Sequence, residues 1–411
     1  MRICIVQAKA LIGHIQKNIE NHLAFIERAI ARNSDLVIFP ELSITGYEPE
    51  LAKELSTKAE DKRFAPFQRL SDENEIIIGV GMPIKAPDGV TISMLIFQPF
   101  KTRLVYSKRL LHPDELPFFI SGTDQPLLNV KGKIIALGIC YETLQREHFI
   151  RAKEHHADVY VASVSKPDKG TEKAYVHFPS MAKEFEMVVL MANSVGFCDN
   201  FLSNGLSSVW SSKGKRIEQL GQEHQGMLIY DTETGLAEII EPKILKAQLC
   251  DLEEVFRIYL NGKKELERNG IYQWVDSYPT REIVEEDIKK EALFVLKEDT
   301  EIIGAINLSE EQEAEYQTVN WKFDDSKVLV IHRLVINPKH QKKGYAQKLM
   351  EFAERFANQH NYTSIRLDAY SQNDRVINFY KTRGYCIRGK VNFPEREFEF
   401  LCMEKQVKSP S

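Results

Sequence analysis

A layered α/β domain with a mixed sheet, followed by a second unit with its own rhythm, is the architecture that this 411-residue sequence predicts. Three observations carry the prediction. Apolar runs that stop abruptly at a polar residue alternate with segments of helical periodicity, then give way to hairpin-like pairs. Three of these runs end on residues able to do chemistry: Leu36-Val37-Ile38-Phe39-Pro40 before Glu41, Leu104-Val105-Tyr106-Ser107 before Lys108, and Ile134-Ile135-Ala136-Leu137-Gly138-Ile139 before Cys140. Near Glu241-Pro242-Lys243 the rhythm changes, and the length itself calls for about two or three domains. The expected division is residues 1–242 and 243–411.

Residues 2–9 read as a strand, and Ile15, Ile19, Leu23, Ile26 and Ile30 then recur at helical spacing, one face of an amphipathic helix. The strand before Glu41 follows. Segments 75–82, 91–98 and 103–107 read as strands, with Pro87-Asp88-Gly89 as the turn between the first two. After the strand into Cys140 come a helix over 144–156, a strand at 159–164, a helix near 172–186, and strands near 187–194, 206–211 and 227–231. In the second unit, charged helical segments at 251–268 and 280–291 precede a hairpin at 292–296 and 301–308. Ser309 to Glu315 reads as a polar loop. The strand 327–336 then leads through a turn to a long helix (344–360), a strand (363–369) and a helix (374–383), and a polar tail begins at Gln406.

Composition narrows the function classes. A hydrophobic share of 43% and a charged share of 27% are those of soluble globular proteins. A net charge of -5 argues against a general nucleic-acid or anionic-membrane surface, which leaves small molecules or proteins as substrates. No apolar stretch approaches the ~18 to 20 residues of a membrane span. Met1-Arg2-Ile3-Cys4-Ile5-Val6 enters a strand directly, without the apolar core and cleavage site of a secretory leader. The six cysteines, at 4, 140, 198, 250, 386 and 402, show no C-x-x-C pair or metal-type clustering. A reduced, cytoplasmic, metal-free protein with one special thiol is therefore expected. Glu154-His155-His156-Ala157-Asp158 fits an exposed helix end better than a metal site, because adjacent histidines on a helix point apart.

A thiolate attacks amide and nitrile carbons, but a free thiol near pKa 8.5 is mostly protonated at neutral pH. A neighbouring lysine favours the thiolate, and a carboxylate can take its proton. Lys108 and the backbone N–H of Tyr141 can also stabilise the oxyanion of a tetrahedral intermediate. Glu41 can then protonate the leaving nitrogen and activate the water that breaks the thioester. Taken singly, Cys140 is as readily an inert buried cysteine, Glu41 a turn cap and Lys108 a surface charge.

In context, Phe39-Pro40-Glu41-Leu42-Ser43-Ile44-Thr45-Gly46-Tyr47, Tyr106-Ser107-Lys108-Arg109-Leu110-Leu111 and Gly138-Ile139-Cys140-Tyr141-Glu142 resemble the three signature blocks of the nitrilase, or carbon–nitrogen hydrolase, superfamily. Asn193-Ser194-Val195-Gly196 and Gly205-Leu206-Ser207-Ser208-Val209-Trp210 resemble its downstream segments, so the likeness spans roughly residues 1 to 240. It implies a four-layer αββα sandwich, a catalytic Glu41, Lys108 and Cys140, and association into a homo-oligomer. Many members use a second glutamate shortly after the lysine; Glu115 is the nearest match, with Asp114 competing. Glu142 fits orientation of the nucleophile turn, or a cap on the next helix, better than reaction. Tyr47 and Phe118 suit either the pocket or ordinary packing.

The second unit carries a different signal. The strand Val328 to Ile336 stops at Asn337-Pro338, and Lys339-His340-Gln341-Lys342-Lys343-Gly344-Tyr345-Ala346 forms a basic turn into a helix with Ala346, Leu349, Ala353 and Phe356 on one face. A strand, a Gly-containing turn and a helix N-terminus can cradle a pyrophosphate, yet the turn lacks the marks of a P-loop or dinucleotide fold. Gln341, Gly344 and Ala346, then Ser371-Gln372-Asn373 and Asn378-Phe379-Tyr380-Lys381-Thr382-Arg383-Gly384-Tyr385, resemble the GNAT N-acetyltransferase family over about residues 243 to 404. The resemblance implies an α+β domain with a mixed central sheet. Acetyl-CoA is its acyl donor, bound along Leu334, Val335 and Ile336, with its pyrophosphate at Gln341, Lys342, Lys343, Gly344, Tyr345 and Ala346 and with Asn373 nearby. Tyr380 then matches the tyrosine that protonates the departing thiolate, although packing in the helix–sheet interface is its plainer role. Glu298, Glu301, His332 and Asp368 are all candidates for a general base, and a neutral amine needs none beyond water. Trp274 and Tyr278 fall where acceptor loops lie, with core packing as the alternative.

Together these readings lead to a bifunctional enzyme: a thiol-dependent amidohydrolase of small amides fused to an amine acetyltransferase, with no metal, nucleic acid or membrane. An amine released at one site and acetylated at the other would couple them. The alternative is an active amidohydrolase whose GNAT module only binds acetyl-CoA as a sensor or scaffold.

Overall fold

Alternate side chains of single strands point into different layers, and that decides the architecture of the N-terminal unit. In a computed structural model, the described residues are 1–407 except 124, 223, 299, 324 and 325. The chain divides into two compact units, Met1–Glu241 and Pro242–Ser411. In the first, Ile3 and Ile5 face one core while Cys4 and Val6 face another, as the period of two in a strand requires.

One sheet has seven strands in the order Ala237–Ile240, Gly226–Asp231, Arg2–Gln7, Leu36–Ile38, Ile77–Ala86, Gly89–Phe97 and Leu104–Ser107. The other has six, in the order Arg216–Gln219, Ser208–Trp210, Val188–Asn193, Val159–Val164, Lys133–Ile139 and Leu127–Val130. Their inner faces meet in a core that includes Ile38, Ile92, Met94, Ile135, Leu137, Ile139, Val161 and Leu190. The outer face of the first sheet is covered by the helices Ile15–Ile30 and Ala65–Asn74. On Ile15–Ile30 the buried residues are Asn18, Ile19, His22, Phe25, Ile26 and Ala29, spaced three and four apart, and each large apolar side chain among them contributes about 1.5–3 kcal/mol. The outer face of the second sheet packs on Arg146–Glu154 and Asp168–Phe185 through Phe149, Ala152, Phe178, Met181 and Ala182. The unit is thus a four-layer αββα sandwich with mixed sheets. Its parallel strands run Arg2–Gln7 beside Leu36–Ile38 beside Ile77–Ala86, and Lys133–Ile139 beside Val159–Val164 beside Val188–Asn193. Their carboxyl ends are where open α/β sheets place ligands.

The second unit is one seven-stranded sheet in the order Lys243–Lys246, Leu293–Glu298, Glu301–Ser309, Val328–Ile336, Ser364–Tyr370, Phe400–Gln406 and Cys386–Val391. Helix Leu252–Arg268 covers one face through Val255, Ile258 and Tyr259, and Tyr345–Gln359 covers the other through Leu349, Met350, Ala353 and Ala357. All neighbours are antiparallel except Val328–Ile336 and Ser364–Tyr370, which pair in parallel over Val328–Val330 alone. Beyond that point the two strands part. Opposite Glu301–Ser309 the register shifts, so Ile306 faces both Arg333 and Leu334, and Arg333 takes φ +46° in a β-bulge.

Several edge elements lie outside the sequence expectation: the hairpin Val195–Cys198 with Phe201–Asn204, and the terminal strands Cys386–Val391 and Phe400–Gln406. The polar tail does not begin at Gln406, which closes the last strand opposite Ser364; residues 408–411 of that tail lie outside the described residues. Among the described residues no helix is long and apolar enough to cross a membrane.

Candidate active sites

The first site assembles at strand ends. Glu41 sits in the turn after Leu36–Ile38, Lys108 directly after Leu104–Ser107, and Cys140 directly after Lys133–Ile139. Two of these turns hold strained backbone, with φ +49° at Leu42 and φ +46° at Cys140. Glycines let neighbouring chain approach. A Cβ on Gly81 would stand 2.3 Å from the Leu42 nitrogen, beside Glu41, and one on Gly122 would stand 2.2 Å from the Ser107 carbonyl oxygen, beside Lys108.

Lys108 is fully buried and donates from Nζ to Glu41 Oε1 at 2.8 Å and to Glu115 Oε1 at 2.6 Å. Glu115 is therefore in the cluster; Asp114 is exposed and pairs with His112 instead. Glu115 is held by the His112 backbone N–H at 2.7 Å and by the Tyr47 hydroxyl at 3.0 Å. Phe118 is exposed, outside this network. Glu142, also buried, accepts the backbone N–H of Ile139 at 2.9 Å and of Arg109 at 2.9 Å, together with the Tyr106 hydroxyl. It ties the nucleophile turn to the segment after Lys108.

The electrostatics divide the labour. Burial disfavours the Lys108 ammonium, yet Glu41, Cys140 and Glu115 hold it well above the ordinary lysine value, so it stays charged. Burial raises the Glu41 carboxyl, Lys108 opposes it and Glu115 adds to it. Glu41 Oε2 has no hydrogen-bond partner among the described residues, and the Cys140 thiol is one of the groups acting on this carboxyl. Burial, then Glu41, pushes the Cys140 thiol up to about 11 against the pull of Lys166 and Lys108. Cys140 thus rests as a thiol, near a carboxyl group with a spare oxygen. Lys166, which the sequence reading missed, places Nζ 3.8 Å from Cys140 Sγ. The signal was there, since the apolar run 159–164 also ends in polar residues, Ser165 and Lys166.

The second site is a cavity of about 960 Å³ where Val328–Ile336 and Ser364–Tyr370 part. Leu334, Val335, Ile336, Gln341, Lys342, Gly344, Tyr345, Ala346, Asn373 and Tyr380 all line it. Lys343, between two of them, is exposed and is not in the lining. Gly344 has φ +84°, and a Cβ there would meet nothing within 4 Å, so the turn before Tyr345–Gln359 is open. Trp274 and Tyr278 line the other end, with Tyr278 taking a 2.7 Å hydrogen bond from Arg333, which also forks onto Asp287 at 2.8 and 2.6 Å. Of the four carboxylate and imidazole candidates, Asp368 and His332 line the cavity, whereas Glu298 and Glu301 lie at the hairpin turn, Glu301 bonded to His340 at 2.8 Å. Burial, with Arg333, pushes His332 down to about 4. Burial pushes Asp368 up to about 6 although it accepts the Tyr316 hydroxyl at 2.7 Å. Glu313 and Arg396, unmarked by any motif, also face this cavity.

Residues 2–239 match the carbon–nitrogen hydrolase family and residues 256–385 the acetyltransferase (GNAT) family. A glutamine-dependent NAD(+) synthetase of Synechocystis sp. is 24% identical over 287 residues, 63% of this chain and 51% of that protein. That of Aquifex aeolicus is 22% identical over 320 residues, 75% of this chain and 53% of the relative. The chain spans about half the length of these relatives. An uncharacterized N-acetyltransferase of Bacillus subtilis is 25% identical over 142 residues, 34% of this chain and 78% of that one. Among solved structures, a mutant of the amidase from Nesterenkonia sp. AN1, showing covalent addition of the acetamide moiety of fluoroacetamide at the active site cysteine, aligns with TM-score 0.52 at 24% identity. It covers 56% of this chain and 89% of the amidase, a likeness of fold alone.

Proposed function

Because the chain belongs to the carbon–nitrogen hydrolase family and carries a GNAT acetyltransferase domain after it, we propose that it catalyses two reactions. The first is hydrolysis of a small amide through a Cys140 thioester; the second is acetyl transfer from acetyl-CoA to a small amine. The observation that carries the first is Lys108 shared between two buried carboxylates beside a strained thiol turn.

In that reaction Glu41 Oε2 takes the thiol proton and the sulfur bonds to the carbonyl carbon. Lys108 and the Tyr141 N–H face the oxyanion. Glu41 returns the proton to the departing nitrogen, the C–N bond breaks, and a water activated by Glu41 releases the acid. Glu115 keeps Lys108 in place and charged.

The cavity of the second unit suits acetyl-CoA: strand backbone at Leu334, Val335 and Ile336, then an open turn and a helix N-terminus with Gln341, Lys342, Gly344, Tyr345 and Ala346 for an anionic pyrophosphate. Acetyl-CoA supplies an activated acetyl thioester. Asp368 takes the proton from the acceptor nitrogen: of the two candidates that line the cavity, it is pushed up to about 6, nearer neutrality than His332, which is pushed down to about 4. Tyr380, whose phenol burial pushes upward, keeps its proton for a departing thiolate. In this reading the partners are small amides and amines, the chain assembles as a homo-oligomer, and no metal, nucleic acid or membrane takes part.

The test is ammonia release from primary amides, ω-amides including glutamine, and nitriles, for wild type beside Cys140→Ala, together with acetyl-CoA consumption over an amine panel. Release that Cys140→Ala abolishes supports the thioester route. Equal release from both proteins, or from neither across the panel, would sink the hydrolase half.

A further inference from the structure

Lys166 follows the strand Val159–Val164, which runs parallel to the strand of Cys140 with Ser163 opposite Ile139. The residue is 4% exposed, and Nζ lies 3.8 Å from Cys140 Sγ. Its backbone is fixed on both sides: the N–H donates to Asn193 Oδ1 at 2.8 Å, and the carbonyl accepts from Ser203 Oγ at 3.0 Å and Asn193 Nδ2 at 3.3 Å. The aim of this side chain is therefore built into the fold.

No carboxylate among the described residues pairs with this ammonium. A buried cation without a paired anion is costly unless something nearby compensates it. At this site the charge that compensates it forms during the reaction. Lys108 is already matched by Glu41 and Glu115, both within 2.8 Å. Among the described residues, Lys166 is the cation that faces the sulfur without a direct ion pair to a carboxylate.

We propose that Lys166 is a catalytic residue of the hydrolase, the cation that holds the Cys140 thiolate and then the negative charge passing to the acyl oxygen. The inference rests on the amide-hydrolysis reading above. Glu41 removes the thiol proton, and the sulfur lone pair forms the C–S bond while the carbonyl π pair moves to oxygen. When that oxyanion collapses, the C–N bond breaks and the proton on Glu41 goes to nitrogen. Lys166 keeps its own proton throughout and acts through charge alone. The pull of Lys166 on the thiol, larger than that of Lys108, agrees with this arrangement.

The experiment is alkylation of the full chain by iodoacetamide as a function of pH, for wild type, Lys166→Met, Lys166→Gln and Lys166→Arg. Cys140→Ala measures the background from the exposed Cys250 and Cys386. Both neutral variants are expected to move the Cys140 titration up by about one pH unit and to slow alkylation about tenfold at a fixed lower pH, with arginine restoring most of the rate. Circular dichroism selects whichever neutral variant is folded. Coincident profiles for wild type and that variant would overturn the role of Lys166. Because alkylation needs no amide, this result is separable from the substrate panel, whose silence would count against the hydrolase reading instead.

Discussion

The Glu142 carboxylate accepts the backbone N–H of Arg109 at 2.9 Å, joining the nucleophile turn to the segment that carries Lys108. The same carboxylate accepts Ile139 N–H at 2.9 Å, one residue before Cys140. One buried side chain thus sets the distance between thiol and ammonium. It does so as an acceptor, from three backbone N–H groups, with that of Leu110 at 3.3 Å the third, and from the Tyr106 hydroxyl.

Glu142→Gln should therefore harm both folding and rate while leaving every reacting group in the chain. The amide NH₂ would face a donor, leaving a buried hydrogen bond unmade at a cost of about 1–3 kcal/mol. Thermal unfolding should shift down and kcat should fall at least about tenfold, with KM little changed. An unchanged kcat would show that the turn positions Cys140 without this tie.

Gly81→Ala should act on Glu41 without touching it. The added methyl would stand 2.3 Å from Leu42 N and 2.6 Å from the Pro40 carbonyl oxygen, so the backbone on both sides of Glu41 must move. A displacement near 1 Å at a reacting group costs on the order of a hundredfold in rate. Amide hydrolysis is expected to fall by that order, while acetyl transfer, in a separate unit, persists as an internal control.

The parts of this chain legible beforehand are those where local pattern and tertiary role agree. The helix Ile15–Ile30 and the strands before Glu41 and Cys140 announce themselves because each buries a whole face or both faces. The strand Cys386–Val391 does not, because it is a sheet edge whose Arg388 pairs with the buried Glu404 and whose exposed Lys390 pairs with Glu399. Lys166 and Arg333 were missed for another reason. Lys166 follows an ordinary strand and Arg333 lies within one, and the partner of each, Cys140 or Asp287, is brought in by sheet pairing or helix docking far along the chain. Among the four candidates for a base, sequence pattern draws no distinction; the parting of two strands is what brings Asp368 and His332 to the cavity and leaves Glu298 and Glu301 outside its lining.

Acetyl transfer should lose rate as pH falls through about 6. Burial raises the Asp368 carboxyl to that value, so below it the folded protein holds the protonated, inactive form and above it the base. The Tyr316 hydroxyl, at 2.7 Å, favours the charged form; Tyr316→Phe should move the acid limb to higher pH with the plateau retained. Asp368→Asn should remove the limb and lower the plateau about a hundredfold. A kcat/KM profile for wild type and both variants decides it, and an acid limb that stays put in Asp368→Asn would assign the base elsewhere.

Gly344→Trp separates binding in the second unit from everything in the first. Gly344 sits at φ +84° at the head of Tyr345–Gln359, with open space where its side chain would point. An indole there fills the turn that would cradle the pyrophosphate, and its backbone strain, roughly 1 kcal/mol, is too small to unfold the sheet. Calorimetric titration with acetyl-CoA should show binding to wild type and a loss of at least about a hundredfold in the variant, while amide hydrolysis stays at the wild-type rate. If the variant binds acetyl-CoA as tightly as wild type, the pyrophosphate does not lie at this turn, and the basic approach through Lys342 loses its purpose.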